Sequence, residues 1–142
     1  MARFPGAVTI VTTGRGEGRR GITATAVCSV TTEPPSLLVC LNRKTGTCAA
    51  VADTGCFNVN LMPHDNASLA LTFAGATGVT GAEKFETGDW QVDARGLPIL
   101  SSAITAFSCE VSEWMVAGSH LIFVGKVVAM ARAEGAPLIY EQ

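Results

Sequence analysis

The sequence predicts a mainly β fold, a closed barrel with a few short peripheral helices, on three observations. Short runs rich in β-branched residues recur along the chain and are punctuated by glycine and proline. Two late segments, 103–117 and 121–131, read as long strands across a Gly118-Ser119 turn. Only two segments read as helices, and both are short. Strands that do not alternate with helices argue against a βαβ sheet, and closure into a barrel is the way such strands lose their edges.

The elements follow in order. Residues 7–13 (AVTIVTT) form a strand, and the glycines of GRGEG turn it back into a second strand over 22–31. Pro34 and Pro35 cannot donate to a ladder, so they mark a corner before the strand 37–41. The stretch 21–42, GITATAVCSVTTEPPSLLVCLN, therefore reads as two strands joined by a Pro-Pro corner. Thr45 or Thr47 caps a short helix that runs through Asp53 and closes at Gly55. Residues 57–62 form another strand. Asp65 or Asn66 opens a second helix with Leu69 and Phe73 on one face, ended by Gly75. The glycine-rich stretch 75–90 is a long loop with a brief ordered middle, the kind of segment that serves as a lid or binding loop. A short strand over 137–140 comes last.

At 142 residues the chain is long enough for one domain and short for two. It is 48% hydrophobic and 15% charged, which excludes the disordered class. The net charge of −2 and the lack of a basic run exclude a general attraction to nucleic acid. Arg15, Arg19 and Arg20 cluster, and they read as a solvated hairpin tip. No apolar run approaches the ~20 residues that span a bilayer, and MARFPGAVTIVTT lacks the order of a signal peptide. The expectation is a cytoplasmic protein without membrane contact. The five cysteines are odd in number, form no CxxC and lie at no metal-finger spacing from His64 or His120. Cys28, Cys40 and Cys109 sit in apolar strand patterns and are expected to pack as small hydrophobes. No metal site is expected.

Two segments invite a ligand. Thr23, Thr25, Ser29, Thr31 and Thr32 fall within ten residues that carry no charge. Hydroxyls and backbone N–H groups hold a phosphate without a basic cluster, so this is a candidate shelf. LNRKTGT, 41–47, offers Arg43, Lys44, Thr45 and Thr47 at a helix start, a setting that suits an anion. Gly14, Gly16 and Gly18 lead into a strand rather than a helix, so they are no dinucleotide fingerprint. No GxSxG elbow supports a hydrolase triad, and His64 reads as a surface residue. His120, in GSHLIFVGKV, either points into a pocket or packs at a barrel mouth.

Together with GAVTIVTT, CFNVNLM, LTFAG, EKF, GLPIL, GSHLIFVGKV and PLIY, the 21–42 stretch resembles the short-chain flavin reductases, in the family's order and over nearly the whole chain. The nearest branch is the reductase component of two-component 4-hydroxyphenylacetate 3-monooxygenase. The resemblance implies an FMN-binding split β-barrel of Greek-key-like connectivity. It also implies a homodimer that uses NADH or NADPH to reduce FMN or FAD and passes the reduced flavin to a partner monooxygenase. By the same resemblance, Thr23, Ala24, Thr25, Ala26, Ser29 and Val30 line the flavin. Asn42, Arg43, Lys44, Thr45 and Thr47 take the phosphate side, and Phe73 approaches the cofactor. His120 stands on the nicotinamide side, where Ser119 replaces the family's Asp. The family usually has an N-terminal helix and a C-terminal basic-aromatic tail, so the expectation is a single domain over 1–142 without them. Two other readings stay open: a protein that keeps its flavin and reduces another acceptor such as a corrinoid, and a flavin-binding module without catalysis.

Overall fold

The computed structural model describes residues 6–132 and the backbone of 139–140. Eleven strands are assigned among them: β1 Gly6–Ala7, β2 Thr9–Thr13, β3 Arg20–Ala24, β4 Val27–Thr32, β5 Pro35–Asn42, β6 Cys56–Leu61, β7 Trp90–Val92, β8 Pro98–Leu100, β9 Thr105–Ala117, β10 His120–Arg132 and β11 Ile139–Tyr140. The two α-helices are α1 Gly46–Thr54 and α2 Ala67–Phe73. Short 3-10 segments occupy Gly16–Gly18 and Gly81–Glu86. The second of these is the ordered middle expected inside the 75–90 loop.

Seven strands form one antiparallel sheet in the order β3-β2-β6-β9-β10-β5-β4. β3 and β4 lie at opposite edges of that order, yet only Thr25 and Ala26 separate them in sequence. Two residues cannot cross a flat seven-stranded sheet, whose neighbouring strands stand about 4.8 Å apart, so the sheet curls until its edges meet. The Cys40 amide donates to the Ala26 carbonyl at 3.0 Å, which carries the β4–β5 ladder up to the two residues that join β3 to β4. This corrects the expected strand over 22–31, which breaks at Thr25-Ala26 so that its halves serve the two ends of the sheet. The Pro-Pro corner stands, with Pro35 opening β5. The β7–β8 hairpin was not expected. Of the expected last strand, Ile139–Tyr140 pairs with Gly6–Ala7, while 137–138 lie outside the described residues.

Alternation along β2 explains the two cores. Val11 points into the barrel with Leu37, Val39, Phe57, Val59 and Phe123, and Val51 of α1 caps that interior. Ile10 points outward, to Met62, Leu69, Phe73, Phe85 and Leu100 beneath α2 and the long loop. With both faces covered, all five residues of β2 are buried. Gly125 of β10 permits the closest approach inside: a Cβ there would lie 2.6 Å from the Phe57 ring and 2.8 Å from the Cys109 Cβ. Behind β6, Asp93 accepts from Asn58 Nδ2 at 3.0 Å and from the Leu97 amide at 3.0 Å, and pairs with Arg95 at 3.0 Å. Arg95 also donates to the Cys109 carbonyl at 2.7 Å, tying the β7–β8 hairpin to the barrel wall.

Candidate functional site

The site starts from the end of β5. The Asn42 side chain accepts from the Lys44 amide at 2.9 Å, and the Thr45 hydroxyl donates to the Asn42 carbonyl at 2.8 Å. That turn aims the chain into α1, where the Thr45 hydroxyl accepts from the Cys48 amide at 3.2 Å as an N-cap. Gly46 and Thr47 come first in the helix, so their amides lack intrahelical acceptors and carry the positive end of the dipole.

These residues form one wall of a cleft of about 280 Å3. β3 supplies Arg20, Gly21 and Ile22, and the long loop supplies Thr80, Gly81 and Lys84. The Arg20 side chain lies between Gly46 and Gly81: Cβ atoms built there would stand 3.5 Å from its Nε and 3.7 Å from its Cζ. Lys84 Nζ donates to the carbonyls of Gly21 and Phe73, each at 3.1 Å, which uses two of its three protons. Burial pulls its pKa below the ordinary lysine value of 10.5. Gly21 has to be small, since a Cβ would fall 2.8 Å from the Phe73 ring. Two cations, the hydroxyls of Thr47 and Thr80 and a helix N-terminus thus line one opening, a donor set matched to a phosphate monoester.

The structure sorts the expected residues into three groups. Thr45 and Thr47 line the cleft. Ala24, Thr25, Ala26, Ser29 and Val30 run along the seam and edge strand, and all but the half-buried Ala24 are exposed. Asn42 pairs in register with His120 of β10, and the Arg43 amide donates to the Ser119 carbonyl at 2.9 Å. The end of β5 and the turn after it join the groups: Cys40 meets Ala26, Asn42 meets His120, and Thr45 caps α1. His120 is half-buried as a residue, and its Nδ1 lies 2.8 Å from the Ser119 hydroxyl in an exposed contact.

Several expected residues stand elsewhere. Arg43 and Lys44 are exposed and outside the cleft, and Arg43 Nη1 donates to the Gly118 carbonyl at 3.3 Å. Thr23 donates its hydroxyl to the Ala70 carbonyl and so braces α2. Phe73 is fully buried against Phe85 and Trp90, and its link to the cleft runs through Lys84. Arg19 and Arg20 are half-buried, not a solvated tip. Cys109 packs as expected, with burial raising its thiol to about 12, whereas Cys28 is exposed on β4. Arg20, Thr80 and Lys84 were not read as ligand groups; the EKF motif held the signal for Lys84. Among the described residues no His, Cys, Asp and Glu cluster forms a metal site, and no helix is long and apolar enough to cross a membrane.

The family described as flavin reductase like domain matches residues 1–142. The chain is 43% identical over 135 residues to the FMN reductase (NADH) RutF of Ancylobacter novellus, covering 95% of this chain and 74% of that protein. It is 38% identical over 141 residues to the 4-hydroxyphenylacetate 3-monooxygenase reductase component of Salmonella typhi, covering 99% and 83%. Among solved structures, BorF, the flavin reductase component of a bacterial two-component tryptophan halogenase, superposes with a TM-score of 0.89 at 30% identity, covering 99% of this chain and 88% of that one.

Proposed function

The chain belongs to the flavin reductase-like domain family, and from that premise we propose that it is an NADH-dependent reductase of FMN. The observation that carries the flavin assignment is the cleft at the start of α1, where Arg20, Lys84 and the Gly46 and Thr47 amides surround space for one phosphate. The choice of FMN and NADH over FAD and NADPH rests on the FMN reductase (NADH) relative.

Bound flavin supplies a ring that takes hydride from the dihydronicotinamide, so the chain itself needs no metal and no catalytic base. Its residues work by position. Arg20, Lys84 and the helix amides neutralise the phosphate and fix one end of the flavin. The seam residues Ala24, Thr25 and Ala26 would border the bound ring, and the small side chains of Ala24 and Ala26 would leave room beside it for a second planar group. His120 is fixed by its register with Asn42 and by Ser119, and it orients the nicotinamide. Correct stacking of two bound rings replaces a bimolecular encounter and is the main source of acceleration available here. A partner monooxygenase that receives the reduced flavin completes the reading, supported by the Salmonella relative.

Purified protein at catalytic concentration, mixed in air with FMN and NADH, tests it. Continuous loss of NADH absorbance over many turnovers is the expected result. A single stoichiometric bleaching would instead mark a donor that keeps its flavin, and no loss would leave only a binding module.

A further inference from the structure

A second hollow lies between the β2–β3 turn and the β7–β8 hairpin, lined by none of the cleft's residues. Its volume is about 340 Å3, within the range of small-molecule sites. Phe85 and Trp90 form its floor, with ring centroids 4.9 Å apart and planes at 69°, and Gln91 and Pro98 line its side. The Arg19 guanidinium stands 5.5 Å from the centroid of the Phe85 ring, and its Nε donates to the Ala82 carbonyl at 3.4 Å. Arg15 packs along Gly96 at the rim and donates Nε to the Arg95 carbonyl at 2.7 Å.

Neither guanidinium has an acidic partner: among the described residues the one ion pair is Asp93–Arg95. Each is bonded to a carbonyl from a different part of the chain, Arg19 half-buried in the lining and Arg15 exposed at the rim. Each also keeps donors to spare, since arginine carries five N–H groups. Planar bases stack on aromatic rings and on guanidinium planes, and guanidinium is the preferred partner of phosphate. A glutamine amide matches the donor–acceptor edge of adenine.

We propose that this hollow binds an adenylate group, with its purine against Trp90 and Arg19, its edge read by Gln91 and its phosphate met by Arg15. The adenylate is carried either by a dinucleotide such as NADH or by a free nucleotide, and the recognition chemistry is the same. The inference rests on these residues and not on the flavin reading.

The probe is AMP, titrated into Trp114→Phe protein so that emission reports Trp90 alone, with calorimetry in parallel. Saturable binding is expected, weakened about tenfold or more for adenosine, which lacks the phosphate. Folded Arg15→Ala and Arg19→Ala proteins should lose affinity for AMP by a similar factor while binding FMN normally. AMP that competes with NADH in turnover identifies the dinucleotide as the carrier, and AMP that binds without competing identifies a free nucleotide. Absence of saturable binding, displacement of AMP by FMN, or unchanged affinity in both arginine variants overturns the proposal. Failure of FMN to bind would sink the flavin assignment and leave this one standing.

Discussion

Thr45 shows how a single residue sets the site. Its hydroxyl accepts from Cys48 and donates to Asn42, so one side chain both starts α1 and closes the turn that brings Asn42 beside His120. His120 is the residue whose role is most open to measurement. Replacement by alanine removes the ring that positions the nicotinamide but leaves the flavin cleft intact. His120→Ala should therefore raise the KM for NADH about tenfold, a loss of about 1.4 kcal/mol, with FMN affinity unchanged. Unchanged KM and kcat in steady-state kinetics would remove His120 from the account. Asp93 has a different task. Burial would raise its pKa, but the bonds from Asn58, Leu97 and Arg95 prevail and hold it below the ordinary 3.8. A depressed folded pKa means stability that is fully present above pH 3.8 and lost as pH falls through the folded value. Asp93→Asn should thus unfold at lower temperature than wild type at neutral pH, and the gap should shrink below that pH, as followed by thermal melts across an acid series.

At the scale of elements, close packing inside the barrel depends on Gly125 of β10, which leaves room for Phe57 of β6 and Cys109 of β9. A methyl group there meets the Phe57 ring and the Cys109 Cβ, both held in the interior. Gly125→Ala should cost about 1–3 kcal/mol by overpacking, readable from denaturant midpoints; a neutral substitution would show that the interior gives more easily than its contacts imply. This glycine also marks how far the sequence could be read. Both α-helices, the Gly118-Ser119 turn and the ordered middle of the long loop were legible because capping residues and glycines announce them locally. The break at Thr25-Ala26 was not, since its cause is closure of the sheet and no local residue signals it. Site residues divided the same way: Thr45 and Thr47 were visible as a helix start. Arg20 and Lys84 reach the cleft through non-local folding that spacing cannot express, and Phe73 turned inward because Gly21 makes room for its ring.

For the whole molecule, β9 and β10 carry exposed apolar side chains along their length. Trp114, Met115 and Val116 stand near the β9–β10 turn, and Val128 and Met130 stand at the far end of β10 beside Ser108 and Phe107, each 45% exposed or more; exposed apolar side chains on adjoining strands mark a contact surface. We propose that a second copy of the chain covers them; Trp114→Glu should shift the mass seen in sedimentation from dimer to monomer, and a monomeric wild type would contradict the assignment. The central claim is narrower, that the cleft between α1, β3 and the long loop holds the flavin by its phosphate. Comparing FMN with riboflavin, which has the same ring and no phosphate, tests it most directly, with wild type and Lys84→Met measured by flavin fluorescence. Wild type should bind FMN at least about tenfold more tightly than riboflavin, and Lys84→Met should narrow that ratio by weakening FMN alone. Equal affinity for the two flavins in wild type, or a ratio that Lys84→Met leaves unchanged, would place the phosphate elsewhere.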